Sequence, residues 1–242
     1  MQQDYFSDLL PITKEIERLV RLHLLPALQP VMDEQRAKMG FRVDSPPEDI
    51  ESIVKSIRAE FAFKFTEGFM RTAADKAGES SSNVNRKQVT NQMRSVGVNV
   101  FQDTPNAGDM LKDFTRTNVK LIKSLPDTAF TRIEDIVQRG LATGARHGTL
   151  AKDIAKEFDV TRRRAKLIAR DQVSKLNSQI TRQRHKANGV TKEIWRTMGD
   201  ERVRPEHEAR EGQEYSVETG IEGEFPGDPI NCRCYAEPVL GD

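Results

Sequence analysis

Cysteine, tryptophan and aromatic side chains are scarce in this chain: it has two cysteines, one tryptophan and 6% aromatics. Cys232 and Cys234 stand one residue apart, badly placed to bridge each other or to close a useful loop. A disulfide-stapled fold is therefore excluded, and the reading is of a protein made inside a cell with reduced thiols. No run of about 18 apolar residues exists, which excludes an ordinary transmembrane helix. The first residues carry Asp4 and Asp8 and lack a basic stretch followed by an apolar core, so no signal peptide is expected. Net charge is +1, which removes any bulk bias towards nucleic acid or membrane. Glycine-rich phosphate loops, a nucleophile elbow and the H-E-x-x-H pattern are all missing, as are helix-turn-helix and zinc-finger patterns.

What remains is a polar, helix-leaning chain of 242 residues, 36% apolar and 31% charged. Leu9, Leu10, Ile16, Leu19, Val20 and Leu24 recur at rough helical spacing, with breaks expected near Pro11 and Pro26. Ser45-Pro46-Pro47 reads as a helix start. Ile50, Ile53, Val54, Ile57, Phe61, Phe65 and Phe69 follow at three- and four-residue steps and define an amphipathic helix. The polar stretch from Gly78 to Asn85 reads as a loop or hinge. Asp103 to Lys123 reads as a helix ended by Pro126, and Asp127 as the cap of another that closes near Gly140 or Gly144. Thr149 opens a short helix, and the longest later one is expected from Thr161 to Ala187. Its buried stripe is Ala165, Ile168, Ala169, Gln172, Val173, Leu176 and Ile180, and Asn188-Gly189 ends it.

Beyond Gly189 helical periodicity stops. Glu193 to Thr197 and Cys234 to Pro238 read as strands of a small β module crossed by an irregular loop. The expected fold is α+β, mainly α-helical. A helical N-terminal arm (1–114) precedes a second domain (115–242), made of helices over 115–188 and a β-rich tail module over 190–240.

Charge is segregated along the chain. Residues 161–186 hold nine Lys or Arg against one acid, whereas residues 187–242 hold six basic and thirteen acidic side chains. Two readings stay open for the basic helix. Arg162, Arg163, Arg164, Lys166 and Arg170 are candidates for contacts to double-stranded DNA phosphates, without sequence preference. Alternatively the basic face packs beside the acidic tail or is simply solvated.

The tail also gathers metal-ligand chemistry. His207, Cys232 and Cys234 offer an imidazole and two thiolates, and Asp200 can supply a fourth ligand to a tetrahedral zinc site. The other reading is a fold-stabilising cluster in which Asp200 pairs with Arg202 or Arg204, His207 bonds the backbone and the cysteines are small core residues. A thiol or zinc enzyme using His207, Cys232 and Cys234 is the least supported option, because a Cys–His pair alone lacks an oxyanion hole and a cleft. His23, His147 and His185 stand alone in sequence and call for no role.

Trp195, Asp200, Arg202, Arg204, His207, Gly212, Pro226, Cys232, Arg233 and Cys234 follow one another in an order that resembles the signature of the phage Mu F-type minor head proteins, the phage head-morphogenesis family. Asn118-Val-Lys-Leu-Ile-Lys-Ser-Leu-Pro126 is similar to the stretch that opens that family's domain, and Gly148-Thr149 with Ile154 takes the place of its short second helix. Arg164-Ala-Lys-Leu-Ile-Ala-Arg-Asp-Gln172 with Lys175-Leu-Asn177 is similar to its R-A-x-L-I-A-R-D helix. Related sequences often carry C-P-x-C where this chain has Arg204-Pro205-Glu206-His207, a departure that leaves three good ligands instead of four. The resemblance implies a structural, non-enzymatic protein present in few copies, made in the host cytoplasm and carried in the virion. It implies a place at the portal vertex or in the head interior during procapsid assembly, genome packaging and delivery. The partners it implies are the portal protein, the major capsid or scaffolding protein, and packaged DNA.

Overall fold

The computed structural model describes residues 1–37 and 48–240, so the expected helix start at Ser45-Pro46-Pro47 lies outside the described residues. The chain is α+β with helix dominant. The elements run α1 (Gln2–Leu19), a π-helical turn (Val20–Leu24), α2 (Leu25–Ala37), α3 (Glu48–Lys64), α4 (Glu67–Ser95), α5 (Ala107–Ala142), α6 (His147–Ala187), β1 (Lys192–Arg196), the single turn α7 (Pro205–Glu208), β2 (Glu214–Ser216) and β3 (Tyr235–Val239). They form two compact units. One comprises Met1–Tyr5, Ala73–Asn118 and Leu167–Asp242; the other comprises Phe6–Thr72 and Val119–Lys166.

The second unit is an all-helical assembly of apolar stripes. Leu9, Ile12, Ile16 and Leu19 are all buried, and the helix that carries them runs straight through Pro11. Burial of that stripe outweighs the ~3 kcal/mol that an interior proline costs. Pro26 acts differently: a π turn directly precedes it, which accommodates a residue that cannot make the regular hydrogen bond to the carbonyl four back. Val20 and Leu24 stay buried through this wider turn. On α3, Phe61 stacks on Phe65 at 4.9 Å and meets Phe130 of α5 edge-on at 5.8 Å. Arg58 lies over the same Phe130 ring at 5.2 Å and pairs with Glu134 at 2.9 Å. His147 has a role after all, since its Nε2 lies 2.9 Å from the carbonyl of Leu25.

Three expected breaks are corrected. The helix does not stop at Pro126: α5 passes through it, because Ile122, Leu125, Ala129, Phe130, Ile133 and Val137 form one continuous buried face. Nor do separate helices begin at Thr149 and Thr161, since α6 is unbroken. Thr161 is buried in its interior, its hydroxyl 3.5 Å from Glu157 of the preceding turn.

The third correction concerns residues 78–85, which are helical instead of a hinge. Gly78 is where α4 approaches α5 closely: a Cβ there would lie 3.1 Å from the Phe114 ring. Of the polar side chains that follow, Ser82 and Asn85 face α6, while Glu79, Ser80 and Asn83 are exposed. Asn85 donates to the Asn177 side chain at 2.8 Å and to the Thr181 hydroxyl at 2.6 Å. Arg184 donates to the Ser82 carbonyl at 2.9 Å, the Asn85 side chain at 2.6 Å and Asp103 at 2.8 Å. A sequence run that is polar because it is exposed and one that is polar because it is cross-linked look alike.

The first unit, to which these residues belong, also carries the sheet, with strand order β2-β1-β3 and both pairings antiparallel. Trp195 opposes Ala236 and Glu193 opposes Tyr215. Alternation along β1 sends Glu193 and Trp195 inward. Val89 and Met93 at the end of α4 pack with Val190 and Val217, sealing the helix to the strand module.

Candidate functional site

The tail module is organised around Trp195, which is fully buried. The His207 ring meets it edge-on at 5.4 Å, Tyr215 at 6.3 Å, and Arg210 caps it at 5.1 Å. Arg210 is held in turn by Glu224 at 2.5 Å and Glu222 at 3.0 Å. His207 reaches its place because Pro205 starts α7, with Arg204 extended before it at the capping position. The opposite wall is the turn after Pro226. Ser178 donates to the Pro226 carbonyl at 2.5 Å, Gly227 takes φ +93°, and Asn231 takes φ +62°. A Cβ on Gly227 would lie 2.9 Å from Cβ of Ser178, so the turn can press onto α6 only because it carries glycine there.

These two walls bring His207, Cys232 and Cys234 together. Their ligand atoms all lie within 4.8 Å of one another. His207 Nδ1 stands 3.5 Å from the Cys232 sulfur and 3.5 Å from the Cys234 sulfur. His207 and Cys232 are each 4% exposed. The backbone N–H of Gly227 donates to the Cys232 sulfur at 3.3 Å. A hydrogen bond from the Cys234 thiol holds Cys232 below the usual thiol range; burial opposes this, and the N–H groups of Cys234 and Gly227 reinforce it. Cys234 is pushed up by the same partner and by burial.

Asp200 is not drawn into that group. Both of its oxygens are taken by the Arg233 guanidinium, one of the contacts measuring 2.7 Å. That ion pair keeps the Asp200 carboxyl below its ordinary range against the opposing effect of burial, with the Arg202 backbone N–H assisting. The expected pairing of Asp200 with Arg202 or Arg204 is therefore corrected: Arg202 contributes only its N–H, at 3.2 Å, and Arg204 donates to the Ile230 carbonyl. The expected backbone bond from the His207 ring is likewise replaced by the two sulfurs. Gly212 holds φ +77° where its N–H bonds the Trp195 carbonyl at 2.9 Å.

The basic helix is largely occupied within the protein. Arg162 pairs with Glu17 at 3.6 Å, and Arg163 donates to the Asp159 carbonyl at 3.3 Å. Arg164 donates to Thr128 at 2.8 Å and Ser124 at 3.0 Å, while Arg170 bonds Asn231. Lys166 is exposed. Further along, Lys186 pairs with Glu218 at 2.7 Å and Arg182 with Asp228 at 3.9 Å, so part of the basic face does meet the acidic tail.

Sequence reasoning missed a second buried constellation. His185 Nδ1 lies 2.7 Å from one oxygen of Glu193, and Tyr215 donates to the other at 2.8 Å. Burial first, then the Glu193 carboxylate, pushes the Tyr215 phenol far up. The only signal available was the inward position of Glu193 on β1, next to Trp195. A groove of about 710 Å³ in the same unit is lined on one side by amide and hydroxyl side chains of α4 and α6, among them Gln88, Gln92 and Asn177, and on the other by the tail module, including Cys232 and Cys234.

Comparison with known proteins fits this anatomy. Residues 131–237 match the profile of the family described as Phage Mu protein F like protein. This segment is similar to the phage Mu protein F like domain. At a coarse level this match suggests phage head morphogenesis. It is also similar to a Haemophilus influenzae (strain ATCC 51907 / DSM 11121 / KW20 / Rd) protein described as an uncharacterized protein. The two are 29% identical over 234 residues, covering 95% of this chain and 50% of that one. The chain thus spans about half the length of that curated relative. No solved structure matches. Among the described residues no helix is long and apolar enough to cross a membrane.

Proposed function

We propose that this chain is the Mu F-like part of a minor head protein that acts structurally at the portal vertex. It joins procapsid assembly there and stays in the virion through packaging and delivery. The carrying observation is what the signature residues do inside the matched domain. Asp200 with Arg233, Arg204 with the Ile230 carbonyl, Pro226 with Ser178 and Gly212 with Trp195 are spent on holding the module together. A residue set conserving shape in this way suits an assembly protein. A thiol enzyme is less well served, because the Cys232 sulfur sits among His207, Cys234 and the Gly227 N–H in a buried position. The domain from 115 onward is taken as the functional core, and the portal subunit as its first partner, with the major capsid or scaffolding protein next.

A phosphate-binding role for α6 has weaker support, since Arg162, Arg164 and Arg170 all have partners within the protein. The test is a phage in which this gene is blocked. Electron microscopy of the lysate is expected to show malformed or genome-free heads, and a normal yield of filled, infectious particles would contradict the proposal.

A further inference from the structure

We infer that His207, Cys232 and Cys234 form a three-ligand zinc site whose fourth position is open to solvent. The inference stands on the geometry of the tail module and does not depend on the head-protein reading.

The first argument is spacing. A tetrahedral zinc ion with its usual bonds to sulfur and to imidazole nitrogen puts those two atoms about 3.5 Å apart. Both sulfur-to-Nδ1 distances are 3.5 Å, and all three donors fit within 4.8 Å of each other. The second is space. A small cavity of about 20 Å³ is lined by all three donors, together with Met198, Arg202 and Arg204. That is room for about one water-sized body, which the ion would fill, and the neighbouring groove of about 710 Å³ that Cys232 and Cys234 also line lets a water reach it as the fourth ligand.

The third argument concerns what surrounds the ligands. The Gly227 N–H points at the Cys232 sulfur, and the Trp195 edge fixes the plane of the His207 ring. Metal sites depend on such outer contacts to aim their ligands. Asp200 lies outside the set because Arg233 holds both of its oxygens, and Arg204, at the cavity wall, cannot ligate. Two thiolates would neutralise the ion, which suits a pocket already bordered by arginines. The ion would tie α7 to the turn before β3, fastening an irregular stretch that has little core of its own.

The test uses the full chain, made in zinc-supplemented medium and purified reduced without chelator. Elemental analysis is expected to find one zinc per chain. Replacement by cobalt is expected to give a thiolate-to-cobalt charge-transfer band and the strong visible bands of four-coordinate cobalt. Cys234→Ser should reduce bound metal to background. Because that variant can also weaken folding, wild type carries the decision. A folded, reduced wild-type chain that contains no zinc and develops no such bands when cobalt is added overturns the inference. So does a melting temperature that a chelator leaves unmoved while the metal is removed.

Discussion

Arg184 and Asn85 are joined by a 2.6 Å hydrogen bond that is buried between α6 and α4. Arg184 is 1% exposed, and its guanidinium also serves Ser82 and Asp103. Removing it leaves several buried acceptors without a donor. Arg184→Met is expected to cost about 3–5 kcal/mol of unfolding free energy, read from urea denaturation. Arg184→Lys should also fall well short of wild type, because an ammonium cannot fork between Ser82 and Asn85. A loss within ~0.5 kcal/mol, as for an ordinary surface change, would show that this network is not what holds the unit together.

The Tyr215 phenol gives a pH signature. Its folded pKa is raised by burial and by Glu193, whereas in the unfolded chain it titrates near its ordinary value of about 10. Below that pH both states keep the proton and stability is unaffected. Above it the unfolded state loses the proton that the folded state retains, so unfolding becomes easier as pH rises, by up to about 1.4 kcal/mol per pH unit from this group. Stability measured from pH 8 to 11 should fall more gently in Tyr215→Phe than in wild type. Parallel slopes would mean that Tyr215 does not set the alkaline limit.

Lys166 and Arg163 lie on the exposed side of α6. Replacing both with Glu should leave the fold intact, and the account expects low-salt DNA affinity and its salt dependence to stay unchanged. Several-fold weaker binding with a shallower salt slope would restore the phosphate-contact reading of the basic helix.

Periodicity made most of the architecture legible. The stripe from Ala165 to Ile180 is buried as expected except for half-buried Gln172, and the two long strands fall within a residue or two of their expected places. Punctuation was the weak guide. Pro11 and Pro126 break nothing, because a continuous buried face on each helix outweighs the local cost. Gly78 to Asn85 looks like a hinge until the partners from α5 and α6 are in view. Those partners, from Phe114 against Gly78 to Arg184 on Ser82, lie far away in sequence, beyond the reach of any local pattern. At the site, the convergence of His207, Cys232 and Cys234 was readable from residue type. The diversion of Asp200 to Arg233 was not, because three arginines compete for one carboxylate and only the turn after Asn231 decides which arrives. His185 looked idle for a similar reason: its partner Glu193 belongs to the strand, not to its own helix.

Association with the phage head is the property to measure. Heads and virions of the source phage should be separated on a density gradient, and this protein quantified by mass spectrometry against the portal subunit. A low, fixed ratio to portal that persists in procapsids and in filled virions is expected. Absence from both would contradict the proposed function, and the buried His–Cys group would then have to be considered as the working part of a different kind of protein.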